Sequence, residues 1–76
     1  MKEALTTIIK SLVTDREAVS INEIESEKNV TFEVRVAEGD MGKVIGKEGR
    51  IAKAIRTIMK ALAAKDSKKI TIEFIG

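Results

Sequence analysis

The sequence predicts an α+β domain with element order α-β-β-α-α-β, a three-stranded mixed sheet covered on one face by three helices. Three observations predict it. An amphipathic stripe opens the chain, with Leu5, Ile8, Ile9, Leu12 and Val13 on one face of a 3.6-residue period. Strict alternation follows at Val30, Phe32, Val34 and Val36, and again at Ile70, Ile72 and Phe74. Between these two alternating runs lie four glycines and a second helical stripe.

The first helix is expected from about Lys2 to Thr14, with Asp15 ending the apolar stripe. A strand over Ala18 to Glu25 comes next. Its alternation is imperfect, since Val19 and Ile21 share a face and Ile24 is out of phase, so a bulge or bend is expected near Asn22-Glu23. Polar Ser26-Glu27-Lys28-Asn29 reads as a hairpin turn into the second strand. A short helix from Asp40, whose side chain can cap it, runs to Ile45. After Gly49 a longer helix extends to about Lys65. Its expected core face is Ile51, Ile55, Ile58 and Leu62, flanked by Ala54 and Met59, with Arg50, Lys53, Thr57 and Lys60 opposite. Asp66-Ser67-Lys68 turns into a last strand over Ile70 to Ile75. The hairpin strands must be antiparallel. The return over two helices suits a right-handed crossover to a parallel third strand.

Composition sets the outer limits. Seventy-six residues make one domain, 1–76, with 43% apolar residues to form its core. Cysteine and histidine are both absent. No disulfide framework or thiolate metal site is possible, and the commonest general base and zinc ligand are missing. No cofactor site and no metal site are expected. No segment approaches the roughly 20 apolar residues of a membrane span. The chain therefore reads as soluble and cytoplasmic, with no membrane partner.

Enzyme signatures are missing. The glycine run fits neither the P-loop nor the G-x-G-x-x-G pattern, and no serine or threonine has a histidine to activate it. Glu23, Glu25 and Glu27 read as guards of a sheet edge. The chain is not expected to be an enzyme.

Charge is uneven. Net charge is +2, yet residues 1–37 carry 5 bases and 7 acids while residues 38–76 carry 9 bases and 5 acids. Residues 41–60 hold six bases, Lys43, Lys47, Arg50, Lys53, Arg56 and Lys60, against Glu48 alone. Such a patch attracts phosphates without making the whole chain adhesive. A solvated helix face gives the same pattern. Arg56 and Lys60 are open between that face, an accessory phosphate role and a subunit contact.

The segment from Met41 to Ile51 holds the most specific chemistry. Gly46 and Gly49, three apart between two helices, stop one helix at positive φ and turn the chain sharply into the next. Neither has a side chain, so a sugar-phosphate backbone can approach the main chain. The turn precedes a helix N-terminus, where free N–H groups and the dipole favour an anion. Lys47 at the tip, with Lys43 and Arg50 beside it, adds mobile positive charge. Val44, Ile45 and Ile51 offer aliphatic surface for a base. Glu48 puts a carboxylate among them, which weakens phosphate binding unless it turns toward Lys47 or Arg50. No Trp or Tyr is present to build a stacking platform.

Val44-Ile45-Gly46-x-x-Gly49-x-Ile51-x-x-Ala54-Ile55 resembles the core of KH domains, defined by a G-x-x-G loop between two helices. The helix and strand before that core are similar to the type II arrangement. From Val36 through Thr57 the run is similar to the small bacterial KhpA-like proteins, and the resemblance covers essentially the whole chain. It implies binding of short single-stranded RNA through the loop. Lys43, Val44, Ile45, Gly46, Lys47, Glu48, Gly49, Arg50, Ile51 and Lys53 are then the candidate RNA-binding residues. It also implies a role as RNA chaperone or post-transcriptional regulator, in some bacteria linked to cell shape. The implied partners are a second copy in a homodimer, or a larger KhpB-like KH-domain protein. The alternative is an interaction subunit that docks on that partner with little RNA affinity of its own.

Overall fold

Residues 1–75 are described by the computed structural model; Gly76, which the single-domain expectation includes, lies outside the described residues. Strict alternation builds the sheet. Strand β1 (Ser20–Glu25) pairs antiparallel with β2 (Asn29–Arg35), and β2 pairs parallel with β3 (Lys69–Ile75). The order is β1-β2-β3, so β2 is central and the other two strands form the edges. Val30, Phe32 and Val34 of β2 are fully buried and are paired with Ile70, Ile72 and Phe74 of β3. Full burial of one such side chain contributes about 1.5–3 kcal/mol.

Helices α1 (Lys2–Leu12), α2 (Met41–Ile45) and α3 (Arg50–Ala64) contribute to the same core. Leu5 and Ile9 of α1, Val44 of α2, and Ile55, Met59 and Ala63 of α3 join the strand residues in one cluster. The mixed sheet and the α-β-β-α-α-β order match the expectation. Among the described residues no helix is long and apolar enough to cross a membrane.

Several details depart from the sequence reading. Helix α1 ends at Leu12 rather than Thr14, and Arg16–Ala18 form a 3-10 turn, so β1 begins at Ser20. The expected bulge at Asn22-Glu23 does not form. Pairing is continuous from Ser20 with Arg35 to Glu25 with Val30. Ile24 points to the uncovered face and is 53% exposed. Alternation fails in β1 because Ile21 is the one β1 residue buried in the core. The same inner face then carries Glu23 and Glu25, and Glu25 pairs with Lys68 instead of with a helix.

Helix α3 sits rotated from its expected face. Ala52, Ile55, Met59 and Ala63 are buried, Ile51 and Leu62 are half-buried, and Ala54 and Ile58 are exposed. Large aliphatics dominate a hydrophobicity stripe. Close packing on a sheet favours the positions where small alanines let the backbone approach.

Candidate nucleic-acid interface

Helix α2 starts from a 3-10 turn at Glu38–Asp40 and runs for only five residues. Gly46 ends it at φ 77°, ψ 174°, while its N–H donates to the Gly42 carbonyl at 2.9 Å. This backbone region belongs almost solely to glycine. Space forbids a side chain as well, since a Cβ on Gly46 would lie 2.6 Å from Cγ1 of Ile51. The turn Lys47–Gly49 is closed by the Gly49 N–H donating to the Gly46 carbonyl at 3.1 Å.

Both Glu48 (φ 58°, ψ 24°) and Gly49 (φ 73°, ψ 15°) are left-handed. Gly49 differs from Gly46 in its surroundings. A Cβ there would meet nothing within 4 Å, so the main chain is open to approach. Helix α3 begins at the next residue. Gly49 gives it no side-chain cap, and its first turn has no acid. The Arg50 N–H donates to the Lys47 carbonyl, and no side chain caps the rest of the first turn, where the dipole favours an anion.

Around this turn Lys47, Glu48, Arg50 and Lys53 are exposed, and Ile45 and Ile51 are half-buried. Glu48 turns toward Arg50, with Oε2 at 3.5 Å from its Nη2. The pair is exposed on both sides, and such pairs contribute about 0–1 kcal/mol. Val44 is a correction. It has no exposed surface and packs in the core, so it supports α2 from behind and offers nothing to a base. Lys43 is half-exposed and already engaged, 3.2 Å from Asp40 Oδ1 and donating to Thr14 Oγ1.

Asp40 is a second correction. Its side chain does not cap α2. Oδ2 instead accepts the Asp15 backbone N–H at 2.9 Å, and the residue is buried at 4% exposure. The N–H groups of Asp15 and then Thr14 hold its carboxyl below the ordinary value against the opposing effect of burial, and Lys43 adds to the lowering.

Sequence reasoning missed a cleft along the free edge of β3. One part, about 230 Å³, is lined by Arg56, Lys60, Ile70, Thr71 and Ile72. An adjoining part of about 420 Å³ shares Lys60, Ile70 and Thr71 and adds Asn29, Lys68 and Lys69. Arg56 bridges the two walls. Its Nη2 donates to the Ile72 carbonyl at 3.2 Å, and its guanidinium lies 5.4 Å from the centre of the Phe74 ring. Lys53, Arg56 and Lys60 recur at i, i+3 and i+7, which places them on one stripe of α3. The basic run was a signal for this stripe. The cleft itself depends on β3 being an edge, which only the topology reveals.

An α-β-β-α-α-β fold with a glycine-framed turn between its second and third helices is that of a type II KH domain. More narrowly, the chain belongs to the KhpA/KhpB KH-domain family, whose profile matches residues 2–74. It is 52% identical over 75 residues to the RNA-binding protein KhpA of Clostridium acetobutylicum, covering 99% of this chain and 100% of that relative. The protein of the same description from Clostridium perfringens is 53% identical over the same shares. That of Chlamydia trachomatis is 44% identical, over 99% of this chain and 96% of the relative. No solved structure gives a significant match.

Proposed function

We propose that this chain binds short single-stranded RNA across the Gly46–Gly49 turn. The observation that carries the reading is an open left-handed backbone at Gly49, set directly before the uncapped N-terminus of a 15-residue helix and flanked by exposed Lys47 and Arg50. One phosphate accepts hydrogen bonds from the first-turn N–H groups of α3 beyond Arg50 and from the side chains of Lys47 and Arg50. Ile45 and Ile51 give a half-buried aliphatic wall for the adjoining base. Lys53, Arg56 and Lys60 carry the strand along α3 toward the β3 edge. A KH loop clamps about four nucleotides. Each phosphate neutralised adds about −0.7 to the slope of log affinity against log salt. The names of the relatives, RNA-binding protein KhpA, support this reading.

In that role the chain acts in the cytoplasm as an RNA chaperone or post-transcriptional regulator, upstream of any effect on cell shape. It has no catalytic function. Pairing, with a second copy or with a KhpB-like protein, is the accompanying part of the reading. Ile58, 48% exposed on the outer side of α3, is the contact such pairing would use. Light scattering on the isolated chain tests the pairing.

The RNA reading is tested by replacing Lys47→Asp and Glu48→Asp together. The double variant is expected to keep its melting transition and to lose crosslinking to single-stranded RNA. Undiminished crosslinking in the folded variant removes the turn from the mechanism.

A further inference from the structure

The most enclosed charged side chain of the described residues lies next to α2, outside the turn. Asp40 is 5% exposed at its side chain and reaches back to the segment that follows α1. Its Oδ2 takes the Asp15 N–H at 2.9 Å, and its Oδ1 lies 3.2 Å from Lys43 Nζ. The same ammonium donates to Thr14 Oγ1. Helix α2 is thereby tied to the α1–β1 connection through Asp40 at its start and Lys43 within it.

That tie is needed because α2 has little else. Five residues form about one turn, far too short to persist alone. Val44 is its one fully buried side chain; Met41 and Ile45 are half-buried. Yet α2 leads directly into Gly46, so a shift of α2 is a shift of the turn. Lys43 has three donors, and Asp40 and Thr14 take two of them. Were Lys43 to swing out to a phosphate, Asp40 would keep the Asp15 N–H and lose its ion pair, and Thr14 would lose its donor.

We propose that Asp40, Lys43 and Thr14 form a clasp that holds α2 in place and so presents the Gly46–Gly49 turn, and that Lys43 serves this clasp rather than a phosphate. The proposal rests on the RNA-binding reading above for its consequence. Its geometric half stands apart from RNA. Asp40, Lys43 and Thr14 are positioning residues.

The test uses Lys43→Met, Thr14→Val and Asp40→Asn in the full chain. Amide NMR signals of Gly46 and Gly49 are followed without RNA, and affinity for a single-stranded oligonucleotide is followed over a salt series. Lys43→Met is expected to move both glycine signals and weaken binding about tenfold, with the salt slope unchanged. Thr14→Val replaces the hydroxyl that accepts from Lys43 with a methyl of similar size, and is expected to move the same signals and weaken binding about two- to threefold. Lys43→Arg keeps charge and donors and is expected to restore most of the affinity. A salt slope reduced by about 0.7 in Lys43→Met makes Lys43 a phosphate contact and overturns its assignment. Glycine signals unmoved in both Lys43→Met and Thr14→Val overturn the clasp, even if Asp40→Asn fails to fold. A wild-type chain that binds no RNA defeats the RNA reading alone, since the glycine signals still decide whether the clasp holds the turn.

Discussion

The two helices that frame the Gly46–Gly49 turn are held in opposite ways. Helix α3 spans 15 residues and lays Ala52, Ile55, Met59 and Ala63 into the core. Helix α2 spans five, buries Val44 alone, and is fastened by Asp40 and Lys43. Burial along three or four turns is non-directional and spreads its stabilisation over many contacts. Hydrogen bonds and an ion pair are directional and few. The turn is therefore more vulnerable on its upstream side. Downstream it rests on a firm apolar base, and upstream on a small polar fastening. Gly46 is the point where the two regimes meet, with Ile51 of α3 pressed against it.

The largest effect belongs to the apolar side. Met59 is fully buried, and Met59→Ala is expected to lower the free energy of unfolding by about 2–5 kcal/mol in a urea titration. Below the unfolding transition, RNA affinity should stay within about threefold of wild type, because a cavity deep under α3 leaves the turn's backbone alone. A loss of affinity as large as that from clasp variants would erase the distinction between the two helices.

Next comes the junction itself. Gly46→Ala must place a Cβ at φ 77° within 2.9 Å of both Cβ and Cδ1 of Ile51. Rotating χ1 of Ile51 cannot move its own Cβ, so the backbone must give way. The expected cost is about 1–3 kcal/mol, with a loss of RNA affinity of about tenfold or more. Gly49→Ala has open space around it and suffers only its left-handed φ, at about 1–2 kcal/mol. Thermal melts of the two variants should therefore rank Gly46→Ala as the more damaging, and a reversed order would place the constraint at the α3 side.

Much of this was legible from residues close in sequence. Strict alternation at Val30 to Val34 and at Ile70 to Phe74 reports two-sided environments directly, and both strands fall where it indicates. The glycine pair likewise encodes its own backbone, since Gly46 and Gly49 both take positive φ. What was not legible depends on distant partners. Asp40 reads locally as a helix cap, yet its Oδ2 serves the N–H of Asp15, 25 residues earlier. Ile24 reads as a core residue displaced by a bulge, yet it lies on a face that no helix covers. The cleft beside Arg56 exists because β3 ends the sheet, and no local pattern says which strand is last.

At Glu48 the turn's backbone and its charge can be separated. Glu48 is a non-glycine residue at φ 58°, ψ 24°, and its carboxylate lies 3.5 Å from the Arg50 guanidinium. Asparagine tolerates the left-handed region better than glutamate does, so Glu48→Asn should raise stability by about 0.5 kcal/mol. It also removes the acid from a ring of cations and frees Arg50 for a phosphate. Affinity for single-stranded RNA should then rise about two- to fivefold at low salt, with a salt slope steeper by up to about 0.7. Both changes would show that the turn's shape suffices and that Glu48 tempers it. Weaker binding despite higher stability would mean the opposite: the carboxylate itself accepts a hydrogen bond from the RNA, and the turn recognises more than phosphate.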